Sequence, residues 1–259
     1  QMHKAISIIQ FKLEAEIIRR RPEFKMEDRM LLHHIDFEKK TITIDGTEYP
    51  LRDSLFPTID PADPYKLTEE EQDIVLKLHN SFTGSEKLRK HMKCLFRYGC
   101  MYNVCNSNLL FHASMPLNED GTLKEIDILG KKYKGESLLK RVGQLIRTAY
   151  FAENDNEEKS FALDYVWYLW CGKDSPAFDK SKMATFERYF IADAAAHKEI
   201  KGFYYTLRDR EDVCDMIMDE FGVEGEHRHI INGHVPVKAV KGEKPIKANG
   251  KLMVIDGGF

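Results

Sequence analysis

The stretch from His227 to Phe259, HRHIINGHVPVKAVKGEKPIKANGKLMVIDGGF, constrains the fold more than any other. Two short apolar runs within it, His229–Asn232 and Leu252–Ile255, read as strands buried on both faces. Each ends in a polar residue flanked by glycine: His234 after Gly233, and Asp256 before Gly257 and Gly258. Glycine lets the backbone turn sharply and lets a ligand come close. In open α/β sheets, ligands sit at such strand ends. A third run, Asn108–His112, delivers a histidine in the same way. A lone histidine after a strand is more often a loop residue or a satisfied hydrogen-bonder than a ligand. The repeated context at His112 and His234 points instead to a metal site.

Composition excludes some function classes and names none. At 259 residues the chain can bury a sizeable core, as one large domain or two small ones. A net charge of −3 lends no support to nucleic-acid binding. No apolar run approaches the ~20 residues needed to span a bilayer, and no signal peptide heads the chain. The five cysteines are odd in number and lack CxxC spacing, so they read as reduced, mostly buried thiols of a cytoplasmic protein.

Along the chain, Ile9, Leu13 and Ile17 predict an amphipathic helix over residues 4–20 that Pro22 ends. Thr41–Tyr49 reads as a hairpin turning on Asp45-Gly46. Thr68 and Glu71 form a capping box for a helix with Ile74, Val75 and Leu78 on its buried face. A second helix follows from about Ser85 to Tyr98. Two strands joined at Asn106–Asn108, a hairpin at Gly130 and a helix over 136–151 come next. Asn154–Lys159 reads as a surface loop, and the aromatic block Phe161–Trp170 as core packing. Thr185–Phe190 reads as strand or loop, and Arg210–Phe221 as a helix capped by Gly222. Arg188 in that strand-or-loop segment either holds a phosphate bidentately or makes a structural ion pair.

The strings LLFHASMP, INGHVPVK and KANGKLMVIDGGF closely resemble the carboxyl-terminal half of class 3 fructose-1,6-bisphosphatases. So do RRPEF, FPTIDPADPY, WYLWCGKDSP and TFERYFI, and the resemblance covers essentially the whole chain. These enzymes resemble members of the calcineurin-like metallophosphoesterase superfamily. The superfamily's amino-terminal motifs, Asp-x-His, Gly-Asp-x-x-Asp-Arg and Gly-Asn-His, are absent, and the chain opens on Gln1. It therefore reads as an excised fragment. The implied fold is α/β: the carboxyl-terminal part of a calcineurin-like αββα sandwich with mostly helical insertions, incomplete without its amino-terminal half. Residues 1–100 would be a mostly helical connecting segment with a β-hairpin. Residues 101–259 would be the carboxyl-terminal part of the catalytic domain, with a mainly helical insertion at about 117–225.

The resemblance further implies metal-dependent hydrolysis of the 1-phosphate of fructose 1,6-bisphosphate, with a binuclear divalent centre, Mn²⁺ first among candidates. His112 and His234 match the superfamily's two later ligands, both to one metal. Many relatives carry a further histidine in Gly-His-x-His, where this chain has Pro236. Asn232 and Asp256 are expected to orient the histidine ligands. Lys238, Lys241, Lys244, Lys247 and Lys251 crowd the loop around His234, and they either meet the phosphate that is not cleaved or are simply solvated. No catalytic residue is assigned within the fragment, which by itself is expected to be inactive. The expected partner is a sugar bisphosphate, without nucleic acid or membrane, and a homo-oligomer is an allowed outcome. Two other readings stay open: another metallophosphoesterase, acting on dinucleoside polyphosphates or phosphoproteins, and a non-catalytic docking or oligomerisation fragment.

Overall fold

The computed structural model describes residues 2–256, so Gly257 and Gly258 lie outside the described residues. It is a mixed α/β structure that divides into two compact units. One comprises Gln1–Lys93 with Lys182–Glu199; the other comprises Cys94–Ser181 with Ile200–Phe259. The segment 182–199 packs with the amino-terminal residues.

In the first unit, α1 (Met2–Arg20) stops before Pro22 as expected, but its buried face is Ile8, Ile9, Lys12, Ala15 and Ile18, while Leu13 and Ile17 of the expected stripe are only half-buried. Strands β1 (Ile35–Asp36), β2 (Thr41–Ile44) and β3 (Thr47–Pro50) form an antiparallel sheet. Asp45 and Gly46 both take positive φ, 51° and 76°, which is the two-residue turn whose twist matches the strands. Helix α2 (Glu69–Gly84) has the expected capping box: Thr68 Oγ1 accepts from Glu71 N at 3.2 Å, and Glu71 Oε2 accepts from Thr68 N at 2.9 Å. That same Oε2 accepts from Lys12 Nζ at 2.6 Å, with both side chains buried. Lys12 also donates to the Thr58 carbonyl at 2.6 Å.

Two expectations fail in this unit. The apolar stripe of α2 is not buried, since Ile74 and Leu78 are 40% and 41% exposed, and Glu71 alone is buried on this helix. The polar Glu71–Lys12 bond, rather than the stripe, is what ties α2 down. Thr185–Phe190 is a short helix, not strand or loop. Phe186 and Phe190 lie four apart and both enter the core, a helical spacing that outweighs their β-propensity. Between them Glu187 is fully buried and receives two hydrogen bonds from Arg29, at 2.9 and 3.0 Å.

Helix α3 (Glu86–Tyr98) carries the chain across the boundary between units. The second unit is organised on β4 (Tyr102–Cys105), β5 (Asn108–Phe111), β8 (His229–Asn232), β9 (Ile246–Lys247) and β10 (Leu252–Val254) in the order β4-β5-β8-β10-β9; a separate hairpin pairs β6 (Ile126–Ile128) with β7 (Lys131–Tyr133). The three central strands run parallel, and both edges are antiparallel. Helices α4 (Gly135–Phe151) and α5 (Glu157–Cys171) pack on each other. The polar run before α5 is not wholly loop: Asn156 caps the helix by accepting from Lys159 N at 2.8 Å. Of the aromatic block, Phe161, Tyr165 and Tyr168 are buried, whereas Trp170 is 66% exposed.

The expectation of strands buried on both faces is also corrected. Burial alternates along β5, β8 and β10. Leu109, Phe111, Ile230, Leu252 and Val254 join a core with Val213 and Ile217 of helix Glu211–Glu220. Met253 and Ile255, on the opposite face, remain exposed. Apolar residues at every position made the run look fully buried, but only one face finds cover in this chain. The cysteines divide similarly: Cys171 and Cys214 are buried, whereas Cys94, Cys100 and Cys105 are exposed.

Candidate metal centre

The parallel pairing of β5, β8 and β10 brings three carboxyl ends to one edge of the sheet. His112 follows β5, Gly233-His234 follows β8, and Asp256 follows β10. The pairing continues past the named strands: Gly233 N donates to the His112 carbonyl at 2.8 Å, and Ile255 N to the Asn232 carbonyl at 2.8 Å. The two imidazoles come to a centroid separation of 5.1 Å, nearly edge to face. Val235 N donates to the Gly233 carbonyl at 2.9 Å, closing a three-residue turn on His234, whose φ is +68°. A non-glycine residue held there costs on the order of 1–3 kcal/mol, and such strain is found at functional sites. Phe178 braces the His234 ring from the side at 6.1 Å.

Gly233 is required for close approach rather than for its φ. A Cβ there would sit 3.3 Å from Asp256 Cβ and 3.8 Å from the His112 carbonyl. Asn232 is buried, and its Nδ2 donates to the Ala113 carbonyl and to Tyr204 Oη, each at 2.9 Å. It therefore ties the residue after His112 to the strand that delivers His234. Its Oδ1 is buried without a hydrogen-bond partner among the described residues. Asp256 joins through its backbone, its carbonyl accepting from Val237 N at 2.8 Å. Its carboxylate accepts no hydrogen bond among the described residues. An open groove of about 350 Å³ runs from His112 and Gly233 along the bare face past Leu110, Ile231 and Ile255.

The lysines separate. Lys247 pairs with Glu243 at 3.4 Å and Asp209 at 3.6 Å, and Lys251 pairs with Asp215 and Glu211. Lys238, Lys241 and Lys244 are exposed. Arg188 belongs to the other unit, is exposed, and pairs with Glu199 at 3.4 Å, the structural alternative its sequence left open. Sequence reading missed Tyr204, and it missed Asp179, whose carboxylate accepts from Ser114 Oγ two residues beyond His112. The Tyr-Tyr pair before Arg208 was the available signal for the first; nothing in the sequence links Ser114 to Asp179.

Burial pushes the Asp179 carboxyl up to about 6, against the Ser114 hydrogen bond, which lowers it; the charge of Asp174 raises it further. The folded form therefore holds this proton more tightly than the unfolded chain. Stability from this group is greatest below its ordinary value of 3.8 and falls as pH rises through about 6. Asp179→Asn should remove that fall, worth roughly 1–3 kcal/mol, and leave the variant at least as stable as wild type at pH 8. Thermal unfolding at pH 4 and pH 8 measures it; a variant destabilised equally at both would contradict this.

Two neighbouring imidazoles suit half of a coordination sphere for a divalent metal. Among the described residues, no group of three or more His, Cys, Asp or Glu converges as a cage. No described helix is long and apolar enough to cross a membrane.

Sequence comparison now bears on this geometry. The family described as Firmicute fructose-1,6-bisphosphatase matches residues 1–259. The chain is 74% identical to the fructose-1,6-bisphosphatase class 3 of Phocaeicola vulgatus, over 100% of this chain and 39% of that protein. It is 68% identical to the protein of the same name from Bacteroides fragilis, with the same coverage of both. It is 59% identical to that of Clostridium botulinum, again over 100% and 39%. No solved structure matches. The chain thus spans about two fifths of the length of the curated relatives it matches, and it belongs to the Firmicute fructose-1,6-bisphosphatase family.

Proposed function

We propose that this chain is the carboxyl-terminal part of a phosphatase that removes the 1-phosphate of fructose 1,6-bisphosphate, with His112 and His234 as ligands of one metal in a two-metal centre. The observation that carries the reading is the convergence of two imidazoles at 5.1 Å on parallel strand ends, in a chain whose relatives bear that enzyme's name. Mn²⁺ is the metal proposed, and the cytoplasm the compartment.

The bare face of the β4-β5-β8-β10-β9 sheet supports a calcineurin-like αββα sandwich, with the second sheet drawn from sequence outside this chain. Within that scheme residues 1–100 connect, and residues 101–259 complete the catalytic domain around an insertion at about 117–225. A pair of divalent metals supplies charge neutralisation on the phosphoryl oxygens and lowers the pKa of a bound water. The chain's own residues hold the geometry. His112 and His234 each offer a ring nitrogen, Phe178 limits rotation of the His234 ring, and Asn232 fixes the separation of the two strand ends. Pro236 removes the alternative of a further histidine ligand at that position.

The test is phosphate release from fructose 1,6-bisphosphate by the full-length protein, with and without a chelator. Expected is turnover that the chelator abolishes and Mn²⁺ restores. Chelator-insensitive hydrolysis, or faster turnover of a dinucleoside polyphosphate, would overturn the reading.

A further inference from the structure

A second cluster lies around Phe178 and Tyr205. Arg208 is 4% exposed, and its Nη1 is buried without a hydrogen-bond partner among the described residues. Its other terminal nitrogen reaches Glu243 at only 3.6 Å. The guanidinium lies 5.5 Å from the Tyr205 ring, and Lys201 Nζ lies 5.7 Å from the same ring. Lys180 and Lys201 face each other across an antiparallel bridge, and Lys180 Nζ lies 5.1 Å from the Phe178 ring. Tyr205 Oη donates to the Phe178 carbonyl at 3.3 Å, which fastens the two aromatic platforms together. Lys238 enters from the loop after His234, where its backbone N donates to Glu243 at 3.1 Å.

Arg208, Lys238 and Lys180 thus share the neighbourhood of Lys201, where Glu243 pairs with Arg208 at 3.6 Å and with Lys247 at 3.4 Å. Partial burial, and then the charges of Arg208 and Lys238, lower the pKa of Lys201; Lys180 adds to this and Glu243 opposes it. A buried guanidinium nitrogen without a partner is costly. An anion with several oxygens would satisfy it and relieve the repulsion, and arginine's planar fork matches phosphate.

We propose that Arg208 and Lys201, with Lys180 and Lys238, seat a phosphate monoester: the phosphate that the reaction leaves in place. This rests on the phosphatase reading above. Phe178 neighbours both His234, at 6.1 Å, and Lys180, at 5.1 Å, so one aromatic ring is common to the cleavage centre and the seat. Contacts to a phosphate that does not react are made equally in ground and transition states. They act on KM more than on kcat.

The experiment uses the full-length protein and the variants Arg208→Met and Lys201→Met, the second an exposed position that guards against misfolding of the first. Each should raise KM for fructose 1,6-bisphosphate, by roughly 10²-fold for Arg208→Met, with a far smaller change in kcat. The ratio of kcat/KM for that substrate to kcat/KM for p-nitrophenyl phosphate, which has no second phosphate, should fall by a similar factor. Calorimetric titration of chelator-treated protein with inorganic phosphate should show binding in wild type that Arg208→Met loses. Equal losses on both substrates, or unchanged KM in both variants, would overturn the assignment to the substrate's phosphate. Loss of phosphate binding with unchanged KM would also overturn it, and would mark a site for a separate phosphate ligand. Should wild type fail to hydrolyse fructose 1,6-bisphosphate yet bind phosphate through Arg208, the phosphatase reading falls and the anion site stands.

Discussion

His112→Ala and His234→Ala are each expected to lower kcat of the full-length enzyme by roughly 10² or more, the scale of losing a charge clamp on the transition state. The double variant should fall little further. The ring centroids lie 5.1 Å apart, so under the proposed function either loss would open the same coordination sphere. Residues that act as a unit are strongly non-additive. Multiplicative losses in the double variant would mean that the two histidines serve separate steps. Lys244→Ala is a useful contrast: that side chain is exposed on the loop and lies outside the Arg208 cluster argued above, so it should change kcat/KM by less than the seat residues do.

Lys12→Met should be the most destabilising single change outside the site, costing about 3–5 kcal/mol at pH 7. Lys12 is fully buried, and its ammonium is the partner of the buried Glu71 carboxylate at 2.6 Å. Removing it strands a charge. Burial alone would raise Glu71, but the Lys12 hydrogen bond and the cap of Thr68 outweigh it and hold the carboxyl below its ordinary 4.5. Its contribution is therefore complete above about pH 4.5 and fades as pH falls through the depressed folded value. Lys12→Met paired with Glu71→Gln should recover much of the loss, because the stranded charge is gone. Hydrogen exchange of α1 amides in the full-length protein reads both variants. A cost below about 1 kcal/mol for Lys12→Met would contradict the buried pair as a determinant of this unit.

These two predictions differ in how far the sequence anticipates them. The hairpin at Asp45-Gly46, the turn after Cys105 and the Thr68 capping box are legible because two to four adjacent residues decide them. The strand ends bearing His112 and His234 are legible for the same reason. The neighbour relation of β5 and β8 is not, since 119 residues separate Ala113 from the Asn232 amide that binds it. Lys12 and Glu71 are 59 apart, and neither residue type advertises burial. The stripe of α2 misled because periodicity reports an apolar face and not what covers it. Arg208 escaped notice because a basic residue after a five-residue helix reads as solvated until its burial is seen. Crowding in sequence does not say what each lysine of the loop meets: Lys247 and Lys251 lie against carboxylates, whereas Lys238, Lys241 and Lys244 are exposed.

The most direct test of the centre is its metal stoichiometry. Wild-type full-length protein, loaded with Mn²⁺ and freed of excess by dialysis, should retain two equivalents per chain. His112→Ala, His234→Ala and the double variant should each retain about one, with equal values for all three. Full occupancy together with near-normal turnover in His234→Ala would contradict the site as described.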